Sequence, residues 1–342
     1  MKANTWTKRM VAASVGMAML FTGNSMTRLG KAVQPEETTP TAPTETVMPT
    51  VPVPATTAPE RERILEACAA IAEKADGRHI FVWDTGQGEM VYCNREEGEK
   101  LYPASITKLY SALVAMMYLE PEEIITAGEE LKFMQPGSSR AYISRGCRLT
   151  VEMLIEAMLI PSGNDAAYVV AAAAGREIAG EASLDASAAV ERFIEEMNRM
   201  GSELGLTNSH FMNPDGYHDE NHYMCPRDIS LVASMALQQP VIAKYMALQQ
   251  DSVTFESGEH IAWYNTNHLI NPESPYFMEN AVGMKTGYTG EAGQCLLGAF
   301  RENDRAIVVG IFGAEEQYKR YSTAIKLYEA CSPDFQQKSE AA

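Results

Sequence analysis

The 342-residue chain contains no CxxC pair and no HExxH, and beyond position 32 it is short of basic residues. Each absence excludes a class of function. Without paired cysteines at metal-ligand spacing there is no zinc ribbon and no thioredoxin-type redox site. Without HExxH the common helix-borne zinc peptidase motif is missing. Residues 1–32 carry five Lys or Arg and no acid, leaving 23 basic against 45 acidic side chains in 33–342, a net −22. So acidic a body repels phosphate backbones, which excludes nucleic acid as a partner. No 20–50-residue repeat is present, and no apolar stretch after the first is long enough to span a bilayer. What remains has the make-up of an ordinary globular protein, with 46% hydrophobic and 21% charged residues.

The N-terminus reads as an export segment. Lys2, Lys8 and Arg9 precede an apolar run from Met10 to Phe21, followed by small residues at Gly23, Ser25, Gly30 and Ala32. That is the order of a secretory signal over 1–32. An uncleaved signal anchor is the other reading, and it would provide a membrane tether. Residues 33–60 hold seven of the 17 prolines, many threonines and almost no large apolar side chains. They are expected to form an extended, disordered spacer. A single catalytic-size domain is then expected over 61–332, with a polar tail over 333–342. The six cysteines, Cys68, Cys93, Cys147, Cys225, Cys295 and Cys331, lie partly in apolar runs, which favours buried free thiols. Export would also permit disulfides, and spacing alone cannot select a pairing.

Periodicity gives strands near both ends and helices between. Ile64, Leu65, Cys68 and Ile71 predict a helix over 61–75. Two strands, His79–Asp84 and Met90–Asn94, flank the turn Thr85-Gly86-Gln87-Gly88. Residues 105–250 read as mostly helical, including Ile106–Leu119, which Pro121 ends, and Val151–Ile160. Three more strands follow, Met284–Tyr288, Gln294–Arg301 and Arg305–Phe312, then a helix over Glu315–Ala330. Short links favour antiparallel pairing. The expected fold is α+β: a five-stranded, mainly antiparallel sheet flanked by helices, with a helical subdomain inserted.

Three short motifs carry chemistry. Ser105-Ile106-Thr107-Lys108 follows Pro103 and opens an apolar helix containing Leu109, Leu113, Met116, Met117 and Leu119. Residues three apart on a helix share a face, so Ser105 and Lys108 should meet. Backbone N–H groups at a helix start also favour negative charge there. Pro161-Ser162-Gly163-Asn164-Asp165 interrupts two apolar stretches, and Lys285-Thr286-Gly287-Tyr288 sits on a predicted strand. Taken singly, these read as a helix start with a solvated lysine, a capped turn and an edge strand. In this order they are the motif set of penicillin-binding proteins and class A β-lactamases.

More of the chain, from about residue 78 to 315, resembles the low-molecular-mass penicillin-binding proteins that are serine-type D-alanyl-D-alanine carboxypeptidases, peptidase family S11. The matching stretches include Tyr102-Pro103-Ala104-Ser105, Met158 to Asp165, Asn213-Pro214-Asp215-Gly216, Lys285 to Thr289 and Ala292-Gly293. The resemblance implies the β-lactamase/DD-peptidase fold and a hydrolase without metal or cofactor. Its substrate would be peptidoglycan stem peptides ending in D-Ala-D-Ala, and β-lactam antibiotics would be covalent inhibitors. It implies Ser105 as nucleophile, Lys108 as its base, Ser162 as proton relay and Asn164 as orienting group. Lys285 and Thr286 would hold the terminal carboxylate on the Lys285-Thr286-Gly287 strand, and the N–H groups of Ser105 and Tyr288 would form an oxyanion hole. Arg227, in Cys225-Pro226-Arg227-Asp228, lies where relatives often have an Arg-Asp pair, supporting the site or making a surface ion pair. Relatives usually add a β-rich domain and a C-terminal anchor. Here a short acidic and polar tail follows the last helix, so tethering is expected at the N-terminus, outside the cytoplasmic membrane or in the wall. The basic segment Arg145-Gly146-Cys147-Arg148 is unexpected beside such a site.

Other readings compete. A DD-endopeptidase acting on cross-links uses the same motifs. A class A β-lactamase needs a deacylating glutamate in Glu-x-x-Leu-Asn, and Glu203 to Thr207 ends in Thr instead. A zinc site could be assembled from His210, His218, His222 and Asp215, although Pro214 and Gly216 make that region a loop. A non-catalytic β-lactam sensor would usually carry transmembrane helices.

Overall fold

The structure, a computed structural model, describes residues 58–332. The expected signal, most of the spacer and the polar tail lie outside the described residues. The first helix, α1 (Ala58–Ala72), starts inside the expected spacer, with Pro59 in its first turn, where proline's missing N–H is no loss. The strands β1 (His79–Asp84) and β2 (Glu89–Cys93) follow as an antiparallel hairpin.

Helices and small hairpins occupy the middle. A 3₁₀ turn, Ala104–Ile106, leads into α2 (Thr107–Ala115), all nine of whose residues are buried. This helix is shorter than its apolar pattern predicts. After Ala115 the chain tightens into i→i+3 bonds, Met117 N–H to the Val114 carbonyl and Tyr118 N–H to that of Ala115. Strands β3 (Ile124–Thr126) and β4 (Arg148–Thr150) pair, and Thr150 caps α3 (Val151–Leu159) by accepting from Met153 N–H at 3.1 Å. Helices α4 (Asn164–Ala179), α5 (Ala186–Glu203), α6 (Pro226–Gln238) and α7 (Pro240–Met246) complete the block. A second hairpin, β5 (Gln250–Thr254) with β6 (His260–Tyr264), was not expected from the sequence. Its inward positions are few, so its apolar alternation is weak.

The C-terminal strands β7 (Ala281–Thr289), β8 (Gly293–Glu302) and β9 (Arg305–Ala314) then build the sheet, and α8 (Lys319–Cys331) closes the domain. The five-stranded sheet runs β2-β1-β9-β8-β7 with every pairing antiparallel, as expected. One face packs on α1 and α8 through a core that includes Ile64, Ile80, Phe300, Ile311, Tyr321 and Leu327. On the other face the Trp83 indole donates to Ser234 Oγ on α6 at 3.0 Å, tying sheet to helical block. β7 ends the strand order, and its outer edge abuts the 3₁₀ turn that carries Ser105.

Candidate active site

Tight backbone approaches bring the three motifs together. A Cβ on Gly287 would sit 2.9 Å from Ala104 Cβ and 3.0 Å from Ser105 N, so only glycine lets β7 lie against the turn. Gly216, at φ +80°, is constrained on the other side: a Cβ there would come within 1.9 Å of the Ala104 carbonyl oxygen. The loop around Gly216 is fixed by Ser111 Oγ donating to the Pro214 carbonyl at 2.7 Å and by Gly216 N–H donating to Asn213 Oδ1 at 2.8 Å. The Pro161-Ser162-Gly163-Asn164-Asp165 motif is held by Asp165, whose carboxylate accepts from Ala141 N–H at 2.9 Å and Ile143 N–H at 3.0 Å. Asn164 N–H donates to the Ser139 carbonyl at 2.9 Å, so segment 139–143 is fastened to the start of α4.

Lys108 is fully buried at the centre of these segments. Its Nζ lies 2.9 Å from Ser105 Oγ, 2.7 Å from Asn164 Oδ1 and 2.8 Å from the Asp215 carbonyl oxygen. Asn164 Nδ2 in turn donates to the Asp215 carboxylate at 2.5 Å, which fixes the amide with its oxygen toward Lys108. Burial lowers the Lys108 pKa to about 8, against the pull of the Asp215 and Asp165 carboxylates. The two carbonyl-type oxygens can only accept, so a neutral amine spends its two N–H groups on them. Its lone pair is left for the Ser105 hydroxyl. This arrangement can remove a proton from Ser105.

Ser105, Ser162, Asn164, Thr286, Gly287 and Tyr288 all line one cavity of about 750 Å³. Ser162 adopts φ +63° and is 4% exposed. Tyr288 is 62% exposed at the cavity rim. Lys285 is 1% exposed, and its Nζ donates to the Thr286 carbonyl at 3.0 Å. Burial and the nearby charges of Lys108 and Arg320 hold its pKa well below the ordinary lysine value.

Arg320, on α8, was not expected from the sequence and also lines the cavity. One Nη donates to the Cys295 carbonyl at 2.8 Å, while its Nε is buried without a partner. A guanidinium held this way beside Thr286 suits a carboxylate. Its distance in sequence from the Lys285-Thr286-Gly287 strand hides it. Only the turn from β9 into α8 brings it back.

Other candidates have partners of their own, although His218 also lines the cavity. Arg227 bonds to the Gly205 carbonyl at 2.9 Å and to the buried Asp228 at 3.2 Å, bracing the loop before α6. It takes the ion-pair reading. Arg145 pairs with Glu129, and Cys147 Sγ donates to Glu259 at 3.6 Å, so that basic segment belongs to the β3–β4 and β5–β6 hairpins. Glu203 pairs with Arg199 on exposed α5 surface. The three histidines diverge. His210 Nδ1 is 2.7 Å from the Asn221 carbonyl, and His218 packs edge-on against Tyr102. His222 accepts from Met212 N–H at 3.2 Å and lies 2.9 Å from Thr107 Oγ1, with burial lowering its pKa to about 3. The neutral imidazole thus braces the residue before Lys108.

Comparison with known proteins agrees with this geometry. The family Peptidase_S11, described as D-alanyl-D-alanine carboxypeptidase, matches residues 66–316. The chain is 30% identical over 264 residues to the D-alanyl-D-alanine carboxypeptidase DacF of Bacillus subtilis, covering 76% of this chain but 62% of that one. It is 27% identical over 256 residues to the D-alanyl-D-alanine carboxypeptidase of Streptomyces sp. strain K15, covering 72% and 84%. The crystal structure of the Streptomyces K15 DD-transpeptidase superposes with a TM-score of 0.66 at 24% identity, over 75% of this chain and 97% of that one. That likeness establishes the fold.

Proposed function

This chain belongs to the Peptidase_S11 family of D-alanyl-D-alanine carboxypeptidases, and we propose that it removes the terminal D-alanine from peptidoglycan stem peptides through an acyl-enzyme on Ser105. The observation that carries the reading is the Lys108 amine 2.9 Å from Ser105 Oγ, with its other two neighbours both obligate acceptors. Neutral Lys108 takes the Ser105 proton as Oγ attacks the carbonyl of the penultimate D-alanine. The backbone N–H groups of Ser105 and Tyr288 stabilise the developing oxyanion. Ser162 relays the proton to the departing D-alanine amine, and Asn164 keeps Lys108 in place. Thr286, with Lys285 behind it and Arg320 beside it, receives the substrate's terminal carboxylate. Water then enters where D-alanine left, and Lys108 serves as base a second time to release the shortened peptide.

A β-lactam acylates Ser105 by the same attack, its ring amide taking the place of the scissile bond. No leaving group departs from the site, and Glu203 is engaged with Arg199 rather than facing the cavity. The penicilloyl adduct is therefore long-lived. Residues 1–32 export the protein, and catalysis takes place outside the cytoplasmic membrane, released or tethered through the N-terminus.

The test is to incubate the protein with diacetyl-Lys-D-Ala-D-Ala and measure free D-alanine, then add penicillin and map the adduct by mass spectrometry. Steady D-alanine release, near-stoichiometric inhibition and an adduct on the Ser105 peptide are expected. Ser105→Ala should lose all three while keeping its melting temperature within a few degrees. Sustained nitrocefin hydrolysis without D-alanine release would replace this reading with a β-lactamase.

A further inference from the structure

Cys68 and Cys331 are 263 positions apart, yet their sulfurs lie 3.7 Å from each other in the layer between α1 and α8. Cys68 is fully buried, and Cys331, the last residue of α8, is 6% exposed. Neither touches the catalytic cavity, and both belong to the apolar core on the far face of the sheet. Other cysteines have separate surroundings: Cys295 points its thiol at the Ala292 and Gly293 carbonyls, and Cys147 at Glu259.

We propose that Cys68 and Cys331 are a cross-linking site, closed to a disulfide that ties the first helix of the folded domain to its last when a thiol–disulfide oxidant is present. A bonded pair needs sulfurs at about 2.05 Å, so the two must approach by less than about 2 Å, within reach of side-chain rotation. The oxidant is a low-molecular-mass or protein disulfide. One cysteine thiolate attacks a sulfur of that reagent and expels one reagent thiolate. The second cysteine thiolate attacks the resulting mixed disulfide and expels the other. Two protein thiols thereby lose two protons and two electrons, and the reagent disulfide becomes two thiols.

Position in the fold governs when this happens. Contact with Cys68 and burial hold the Cys331 thiol well above the ordinary range, so packed Cys331 carries little thiolate. Cys331 lies on the final turn of its helix, where fraying opens the contact to a reagent. Once closed, the bond spans nearly the whole domain and removes a large share of the unfolded chain's freedom.

The inference does not depend on the proposed reaction. The full-length, fully reduced protein is incubated with a mixture of oxidised and reduced glutathione a few degrees below its melting temperature. It is then digested without reductant. A Cys68 peptide joined to a Cys331 peptide, lighter by two hydrogens, is expected, with a melting temperature raised by roughly 5–10 °C. Reductant should reverse both changes, and penicillin should label Ser105 equally before and after. Mapping uses the unsubstituted chain, so no variant has to fold. Cys68→Ser should remove the cross-link and the added stability together. Complete alkylation of both cysteines after oxidation, or a cross-link joining either to a different cysteine, would overturn the proposal.

Discussion

The layer of α1 and α8 against the sheet and the junction between β7 and the helical block are packed by different rules. In the first, apolar side chains meet in relaxed backbone: Ile80, Val82, Phe300 and Val309 face Tyr321, Ala324 and Leu327. In the second, the fully buried residues include two lysines, Lys108 and Lys285. Five non-glycine residues among those described have positive φ. Ala104 precedes Ser105, Met284 precedes Lys285, Ser162 lines the cavity, and Tyr142 lies between the two amides that Asp165 holds. The fifth, Asn303, sits in the β8–β9 turn, where asparagine accepts that conformation readily. Backbone strain thus gathers beside the residues proposed to react and is nearly absent where packing alone is required.

The largest test of this contrast is Lys108→Met, which keeps the side chain's volume and removes its base. Acylation by a fluorescent penicillin should slow by roughly 10²–10⁴-fold, as expected for loss of a general base. Thermal stability should change little, because relief of burying an amine with a depressed pKa offsets the loss of a donor to Asn164 Oδ1 and the Asp215 carbonyl. Stopped-flow labelling and calorimetry on the same sample separate the two effects. Fast labelling with a large loss of stability would make Lys108 a structural residue and erase the distinction between the regions.

Phe300→Ala reverses the pattern. Its ring stacks on Tyr328 at 4.5 Å between centroids and is fully buried. Removal should cost about 3–5 kcal/mol of stability in denaturant titration. The rate of penicillin labelling per folded molecule should not change. A site that loosened along with the core would show that the two regions are mechanically one.

The sequence exposed these regions unequally. All five strands of the sheet were legible, because β-branched runs such as Ile307-Val308-Val309 carry their own signal and short turns enforce antiparallel pairing. The Ser105–Lys108 contact was legible too, since three-residue spacing on a helical turn is a local property. Arg320 was not, because its place depends on sheet order and on the path of α8. His222 and Asp215 were weighed as metal ligands, and burial gives them bracing roles that no local pattern encodes. The start of α1 at Ala58 was obscured by its neighbours. Prolines dominate the preceding residues, while Pro59 itself suits a first turn.

A finer effect follows from the Lys108 pKa of about 8. Only the neutral amine can accept the Ser105 proton. Acylation should therefore rise about tenfold per pH unit below 8 and level off above it. The same shift tilts stability. Between about pH 8 and the ordinary value of 10.5 the unfolded chain binds a proton that the folded chain does not, so stability from this group increases as pH rises through that window. Lys108→Met should lack that increment. A rate profile flat from pH 6 to 9 (roughly the span on either side of that pKa) would mean that another group takes the proton.

The smallest expected effect tests the strain directly. Tyr142 holds φ +63° and is 73% exposed. The conformation is imposed from both sides. Asp165 binds the amides of Ala141 and Ile143, and the Trp263 indole donates to the Ala141 carbonyl at 3.0 Å. A left-handed backbone disfavours an ordinary residue by about 1–2 kcal/mol, and glycine escapes that penalty. Glycine gives back about 0.5–1 kcal/mol through the greater freedom of its unfolded chain. An exposed ring contributes little burial to lose. Tyr142→Gly should therefore gain about 0.5–1 kcal/mol, a rise of roughly 1–4 °C in melting temperature. Tyr142→Ala retains the Cβ that causes the strain and should show no gain. If the two variants melt together, or glycine melts lower, segment 139–143 adopts this path without stored strain, and the concentration of strain at the site loses one of its four members.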